Sequence, residues 1–303
     1  MKSQTTIDSF NTETFKQRFA APDAPWFGYD EPFKIVKIEA VLPFLKFPFP
    51  IHRTALFDIL FVTQGAGAAK HCGLTKYSID PPQLFFKGGG QITSGDVYGT
   101  DTKGYFCLIQ ADFLTTTLGL PSLSTFPFFH LGNSPLINLS TTEVERFSFL
   151  FTRLHQYYQS PVKEKEKLMA SYLHVVVQEA ALMYQVQHAR EPLNVLSSAE
   201  ALTARFCELV NQFYLTKQRI SQYADLLSVT PNHLNKAVKQ TSGKTASSFI
   251  VEMIMMEAKV LLKQSLMSVA DIAFYLHFDD VSYFIRFFRN HCGLTPLDYR
   301  KMA

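Results

Sequence analysis

No Cys-x-x-Cys pair occurs in the sequence; Cys72, Cys107, Cys207 and Cys292 are scattered over 303 residues. That spacing excludes a zinc ribbon and offers no disulfide framework, so reduced thiols are expected. No uncharged apolar run approaches the roughly 20 residues that a membrane-spanning helix needs, so no membrane partner is expected. Residues Met1 to Asp8 lack the apolar core of a signal peptide, which makes the cytoplasm the simplest location. Catalytic signatures are missing too: there is no Gly-x-Ser-x-Gly, no Gly-x-x-x-x-Gly-Lys-Ser/Thr and no His-Glu-x-x-His. The N-terminal region offers only His52, His71 and His130, with no His-x-His, too sparse a set for a divalent ion. Gly88-Gly89-Gly90 reads as a turn, because no helix start follows it to cradle a phosphate. Neither an enzyme nor a metal or cofactor site is expected.

What is present is enough apolar residue to fold: 47% hydrophobic against 18% charged, in a length that suits two or three domains. The net charge of +3 is unevenly placed. Residues 217–303 hold 11 Lys/Arg against 7 Asp/Glu, a net of +4, and the remainder hold 18 against 19, a net of −1. A basic C-terminal module that meets a polyanion fits that asymmetry.

Residues 33–112 read as short strands, with β-branched and aromatic runs such as Ala55–Thr63 and Gly104–Gln110 between turn signals, which points to a small β-sandwich or barrel. From Thr141 the period becomes helical, with Val144, Phe147, Phe151, Leu154 and Tyr158 on one stripe. A second helix over about 164–187 carries Leu168, Tyr172, Val175, Val176, Ala180 and Leu182. This pair covers the sheet domain, and its apolar stripe is also a candidate homodimer interface. Phe126-Pro127-Phe128-Phe129 reads as core rather than as the wall of an effector pocket. A polar stretch over 191–204 is the expected linker between a domain at 1–190 and one at 205–303.

The last third of the chain is internally repeated. Ile220, Ala224, Leu227 and Val229 match Val269, Ala273, Leu276 and Phe278 at an offset of 49, while Leu234, Val238 and Gly243 match Phe284, Phe288 and Gly293 at an offset of 50. One extra residue therefore sits in the turn of the second copy, and each copy reads as helix, tight turn, helix. Thr230 is placed to cap the second helix of the first copy with Pro231 at its first position; Asp279 or Asp280 is placed to do so in the second. Leu234, Val238, Phe284 and Phe288 then face inward. Asn232, His233, Asn235, Lys236 and Lys239 face outward in one copy, and Ser282, Arg286, Arg289 and Asn290 in the other. Lys236 and Lys239 coincide with Arg286 and Arg289 at the offset of 50. Packing alone does not require cations at equivalent outward positions, whereas a helix in a DNA groove needs donors for phosphates and base edges.

The run Ser268-Val269-Ala270-Asp271-Ile272-Ala273, then Phe278 to Arg289, closing in Gly293-Leu294-Thr295-Pro296-Leu297-Asp298-Tyr299-Arg300, resembles the signature of AraC-type (AraC/XylS) transcription regulators. Val229 to Gly243 resembles the first helix-turn-helix of that family, and Glu257 to Leu262 its connector. The family commonly has Gly where His277 stands, so His277 has to adopt a left-handed backbone. Met253 occupies a connector position that is often Arg, and Phe288-Arg289-Asn290 replaces a more usual Phe-Lys-Lys.

The resemblance implies an α+β protein: an N-terminal cupin-like β-barrel with flanking helices, and a C-terminal all-α domain with two helix-turn-helix units. It implies a sequence-specific regulator that binds double-stranded DNA, with a small-molecule effector in the barrel as a further expectation and RNA polymerase as a candidate partner. The DNA contacts it points to are Asn232, His233, Asn235, Lys236 and Lys239 in the first unit and Ser282, Arg286 and Arg289 in the second, with Arg300 on phosphate. The competing class is a small-molecule-binding cupin-like protein whose helical C-terminus mediates protein contacts.

Overall fold

The computed structural model describes residues 20–21, 31–65, 68–95, 98–130, 133–189 and 198–302. The Met1 to Asp8 stretch and residues 191–197 of the expected linker lie outside the described residues. The first half of the chain is built from β1 (Phe33–Lys37), α1 (Ile38–Val41), β2 (Phe49–Arg53), β3 (Phe57–Gln64), β4 (Ala68–Cys72), β5 (Thr75–Ile79), β6 (Gln83–Lys87), β7 (Ile92–Gly95), β8 (Lys103–Ile109), α2 (Phe113–Leu118) and β9 (Leu136–Asn138). The strands form two antiparallel sheets, one in the order β1-β8-β3-β6-β9 and the other in the order β2-β7-β4-β5.

The apolar run in β3 is continuous because both faces of its sheet are covered. Ile59 and Phe61 point to the helical side, where Phe61 stacks on Phe151 with ring centroids 5.0 Å apart. Leu60 and Val62 point the other way, to meet Ala68, Cys72 and Ile79 of the second sheet. The close crossing of β3 and β8 requires Gly104, whose φ is 144°; a Cβ there would stand 1.9 Å from the Phe61 carbonyl oxygen. Two long helices follow, α3 (Thr141–Gln159) and α4 (Lys165–Ala189). The first begins in a reciprocal cap between Ser140 and Glu143. It buries Phe147, Leu150, Phe151 and Leu154 against the five-stranded sheet. Phe128 and Phe129 lie in the same core, as their sequence context suggests.

The second half runs α5 (Ser198–Phe213), α6 (Ile220–Leu226), α7 (Pro231–Ser242), α8 (Ala246–Gln264), α9 (Val269–Tyr275), α10 (Val281–Cys292) and α11 (Pro296–Lys301). Helix α5 starts at Ser198, where the helical reading of the sequence begins, so residues 198–204 of the 191–204 stretch are helical. Ala, Leu and Glu in this stretch are strong helix formers and override its serines. Among the described residues no helix is long and apolar enough to cross a membrane.

Candidate nucleic-acid interface

The offsets seen in the sequence are the offsets of the structure. Helices α6 and α9 start 49 residues apart, and α7 and α10 start 50 apart. The turn between the helices is made the same way in both copies. Ser228 and His277, 49 apart, both take the left-handed region, with φ of 55° and 61°. Each sits beside a closing bond of equal span, from the Val229 amide to the Ala224 carbonyl (3.0 Å) and from the Phe278 amide to the Ala273 carbonyl (2.9 Å). His277 thus adopts the conformation that glycine adopts without steric cost.

Capping fixes where the second helix of each copy begins. The Thr230 hydroxyl accepts from the His233 amide at 3.2 Å, with Pro231 at the first helical position. Asp280, not Asp279, does the equivalent work for α10, its Oδ1 accepting from the Ser282 amide at 2.6 Å. Both helices end on a left-handed glycine, Gly243 and Gly293. Leu234, Val238, Phe284 and Phe288 are fully buried, so the opposite faces are set by the helical period alone.

On those faces Asn232, His233, Lys236 and Lys239 of α7 and Ser282, Arg286, Arg289 and Asn290 of α10 are exposed. Lys236 and Arg286 occupy equivalent positions, as do Lys239 and Arg289. The helix between the copies, α8, has 19 residues, a length of about 28 Å at 1.5 Å per residue.

Two residues expected at the interface are engaged inside the protein. Asn235 is half-buried, and its Oδ1 accepts from the Ala246 amide at 3.0 Å, tying α7 to the first turn of α8. Arg300 donates from Nε to the Leu262 carbonyl at 3.1 Å and from Nη2 to the Met267 carbonyl at 2.6 Å, closing the end of α8. Helix ends leave carbonyls without intrahelical partners, and a guanidinium in reach satisfies them. Met253 is buried in the helical core, where it serves packing.

Sequence reading missed a polar contact between the two halves of the chain. Arg53, at the end of β2, forms a two-pronged ion pair with Glu257 of α8. Its Nη1 donates to Oε1 at 3.1 Å, and its Nη2 contacts Oε2. The Tyr214 hydroxyl donates to the same carboxylate at 2.6 Å and accepts from Arg53 Nη2 at 3.0 Å. Gln264 completes the contact with two bonds to the Arg53 backbone, each 2.9 Å. Glu257 has no exposed surface. Burial alone would lower the pKa of Arg53, but Glu257 and Tyr214 together outweigh it and hold it above the usual value. These partners stand 204 and 211 residues apart, and no local pattern couples them. The one available signal was a carboxylate within the apolar run Met253 to Leu262.

A family model described as a helix-turn-helix domain matches residues 223–302. The HTH-type transcriptional regulator YpdC of Escherichia coli strain K12 is 25% identical over 197 residues, covering 63% of this chain and 65% of that protein. The HTH-type transcriptional activator RhaS of Escherichia coli O157:H7 is 26% identical over 141 residues, 46% of this chain and 47% of that protein. The chain thus aligns with about half to two thirds of the length of these curated relatives. A DNA-binding transcriptional dual regulator from Escherichia coli K-12, known as a crystal structure, matches 34% of this chain and 97% of its own at 26% identity, with a TM-score of 0.31.

Proposed function

We propose that the chain, whose residues 223–302 match a helix-turn-helix domain, is a sequence-specific regulator of transcription of the AraC type that binds double-stranded DNA through α7 and α10. The observation that carries the proposal is the recurrence of exposed cations, Lys236 with Arg286 and Lys239 with Arg289, on two helices at equivalent places in the repeat. The 28 Å or so of α8 suits recognition helices in successive major grooves on one face of the duplex, about 34 Å apart. Asn232, His233, Lys236 and Lys239 meet the duplex from one helix, and Ser282, Arg286 and Arg289 from the other. Asn235 and Arg300 act by fixing those helices in place.

Lys236→Ala and Arg286→Ala are each expected to weaken DNA binding while the unfolding midpoint stays put. The loss is about 1–3 kcal/mol for a base contact, or a reduced salt slope for a phosphate contact. Equilibrium titration of a labelled duplex by fluorescence anisotropy measures both. Unaltered affinity in both variants would return the helical half to the role of a protein-contact module.

The regulator acts as a homodimer in this reading, and the outer face of α4 is its interface. Leu168, Val175 and Leu182 recur every seven residues there, with 42%, 42% and 63% of their surface exposed, while Val176 and Ala180 face the core. A stripe at that spacing suits a second helix of the same kind. Leu182→Asp is expected to convert a dimer to a monomer in sedimentation equilibrium; a wild-type chain that sediments as a monomer at all concentrations refutes the pairing.

A further inference from the structure

A cleft of about 740 Å³, counted with its open mouth, enters the sheet domain between the two sheets. Its walls are mostly apolar, including Val41, Leu45, Phe47, Phe106 and Leu108. Among them lies a buried charge cluster that no part of the DNA-binding reading uses. Asp58 of β3 stands 3.3 Å from Lys87 of β6 and 3.4 Å from Lys70 of β4. Two ammonium groups against one carboxylate leave the cluster positive when both lysines are protonated, and burial, only partly offset by Asp58, lowers the pKa of Lys87 in a region where an unbalanced charge is costly.

The two lysines are not equally satisfied. Lys87 donates to the Thr54 hydroxyl at 2.8 Å and the Leu56 carbonyl at 3.0 Å as well as pairing with Asp58. Two of its three donors are thus accepted by Thr54 and Leu56, and its contact with Asp58 Oδ1 is an ion pair without hydrogen-bond geometry. Among the described residues Lys70, whose side chain is 8% exposed, has Asp58 Oδ2 as its one oxygen partner, at 3.4 Å. Its other neighbours are the faces of Phe85 and Phe106, 5.4 and 5.5 Å from Nζ. Lys70 lines the cleft and Lys87 does not.

We propose that this cleft binds a monocarboxylate with a compact apolar body, the carboxylate accepting from the Lys70 donors that Asp58 leaves over and the body lying against Val41, Phe106 and Leu108. The proposal deepens the regulator reading, on which it rests, by naming the chemical class of its effector. A single negative charge balances the cluster. A phosphate would bring a second charge toward Asp58 with no guanidinium on the cleft lining to meet it. His52, also on the lining, adds no positive charge at neutral pH, because burial and then the nearby Lys87 and Lys70 outweigh its bond to the Pro50 carbonyl and lower its pKa to about 4. The site also adjoins the contact between the halves of the chain. His52 and Thr54 line the cleft, and Arg53 between them points the opposite way to Glu257.

Thermal unfolding and titration calorimetry of the full chain test the proposal with four probes: octanoate, 3-phenylpropanoate and the primary amide of each. At least one acid is expected to bind and raise the unfolding midpoint while its amide, equal in shape but uncharged, does neither; which acid does so tells an acyl from an aryl body. Lys70→Met, which leaves Asp58 paired with Lys87, is expected to weaken the acid about 10- to 100-fold. Leu108→Trp, which fills the cleft without touching the charges, abolishes binding. Equal responses to acid and amide, full affinity in Lys70→Met, or no response to any probe overturns the proposal. If Lys70→Met does not fold, the contrast between acid and amide on the wild-type chain decides alone. DNA affinity is measured on the same samples. Intact DNA binding without an acid response refutes the ligand, whereas absent DNA binding refutes the reading beneath it.

Discussion

Arg53→Ala is expected to lower the unfolding free energy of the full chain by about 3–5 kcal/mol. The size of the effect comes from what the substitution leaves behind. Glu257 is wholly buried in α8, and without Arg53 its carboxylate keeps only the Tyr214 hydroxyl. Taking a carboxylate out of water costs several kcal/mol unless a countercharge and hydrogen bonds compensate it. Arg53→Met combined with Glu257→Met removes both charges at once, so the double variant is expected to recover most of the loss. Urea unfolding followed by circular dichroism measures all three variants. A loss below about 1 kcal/mol for Arg53→Ala, the range of an exposed ion pair, would contradict the buried coupling.

Phe284→Ala is expected to cost about 3–5 kcal/mol, through a cavity rather than a charge. Phe284 is fully buried in the helical core, its ring centroid 5.2 Å from that of Phe278 and 6.1 Å from that of Phe288. Phe278 sits in the turn before α10 and Phe288 lies one turn along the same helix, so the space left by the phenyl group closes only in part. DNA binding falls with it, because the same residue holds the outward face of α10 in position. The contrast with Arg286→Ala, which loses affinity at unchanged stability, separates the inner face of this helix from the outer. Wild-type stability in Phe284→Ala would refute the inward assignment.

Much of the helical half was legible because its determinants are local. A cap, a helical period and a left-handed turn each lie within a dozen residues, and duplication shows them twice. The slip in offset from 49 to 50 located the turn between Val229 and Leu234 and their counterparts. The intramolecular bonds of Asn235 and Arg300 were not legible, for the opposite reason. Polarity and spacing place them near an outer face, but their partners, the Ala246 amide and the Leu262 and Met267 carbonyls, lie on neighbouring elements. An amide or guanidinium at the rim of a helix serves equally as a DNA donor or as a cap for the next helix, and sequence pattern does not separate the two. The sheet domain was legible in its strands but not in its polar interior. Lys70, Lys87 and Asp58 meet because β3, β4 and β6 bring them together across two sheets, and only the tertiary structure supplies that proximity. Strand β9 went unread because its three residues are too few for a period, and its pairing with β6 is what defines it.

The most direct test of the central claim is the retention of random genomic duplex fragments by the full chain at two salt concentrations, with sequencing of what is retained. Two duplex-bound helices lined with lysine and arginine predict retention that falls steeply with salt. They also predict enrichment of a sequence whose two short blocks lie about 10 base pairs apart, one block lost in Lys236→Ala and the other in Arg286→Ala. No retention at low salt, or retention of a single block that both variants leave intact, would contradict the assignment of α7 and α10 as a pair of recognition helices.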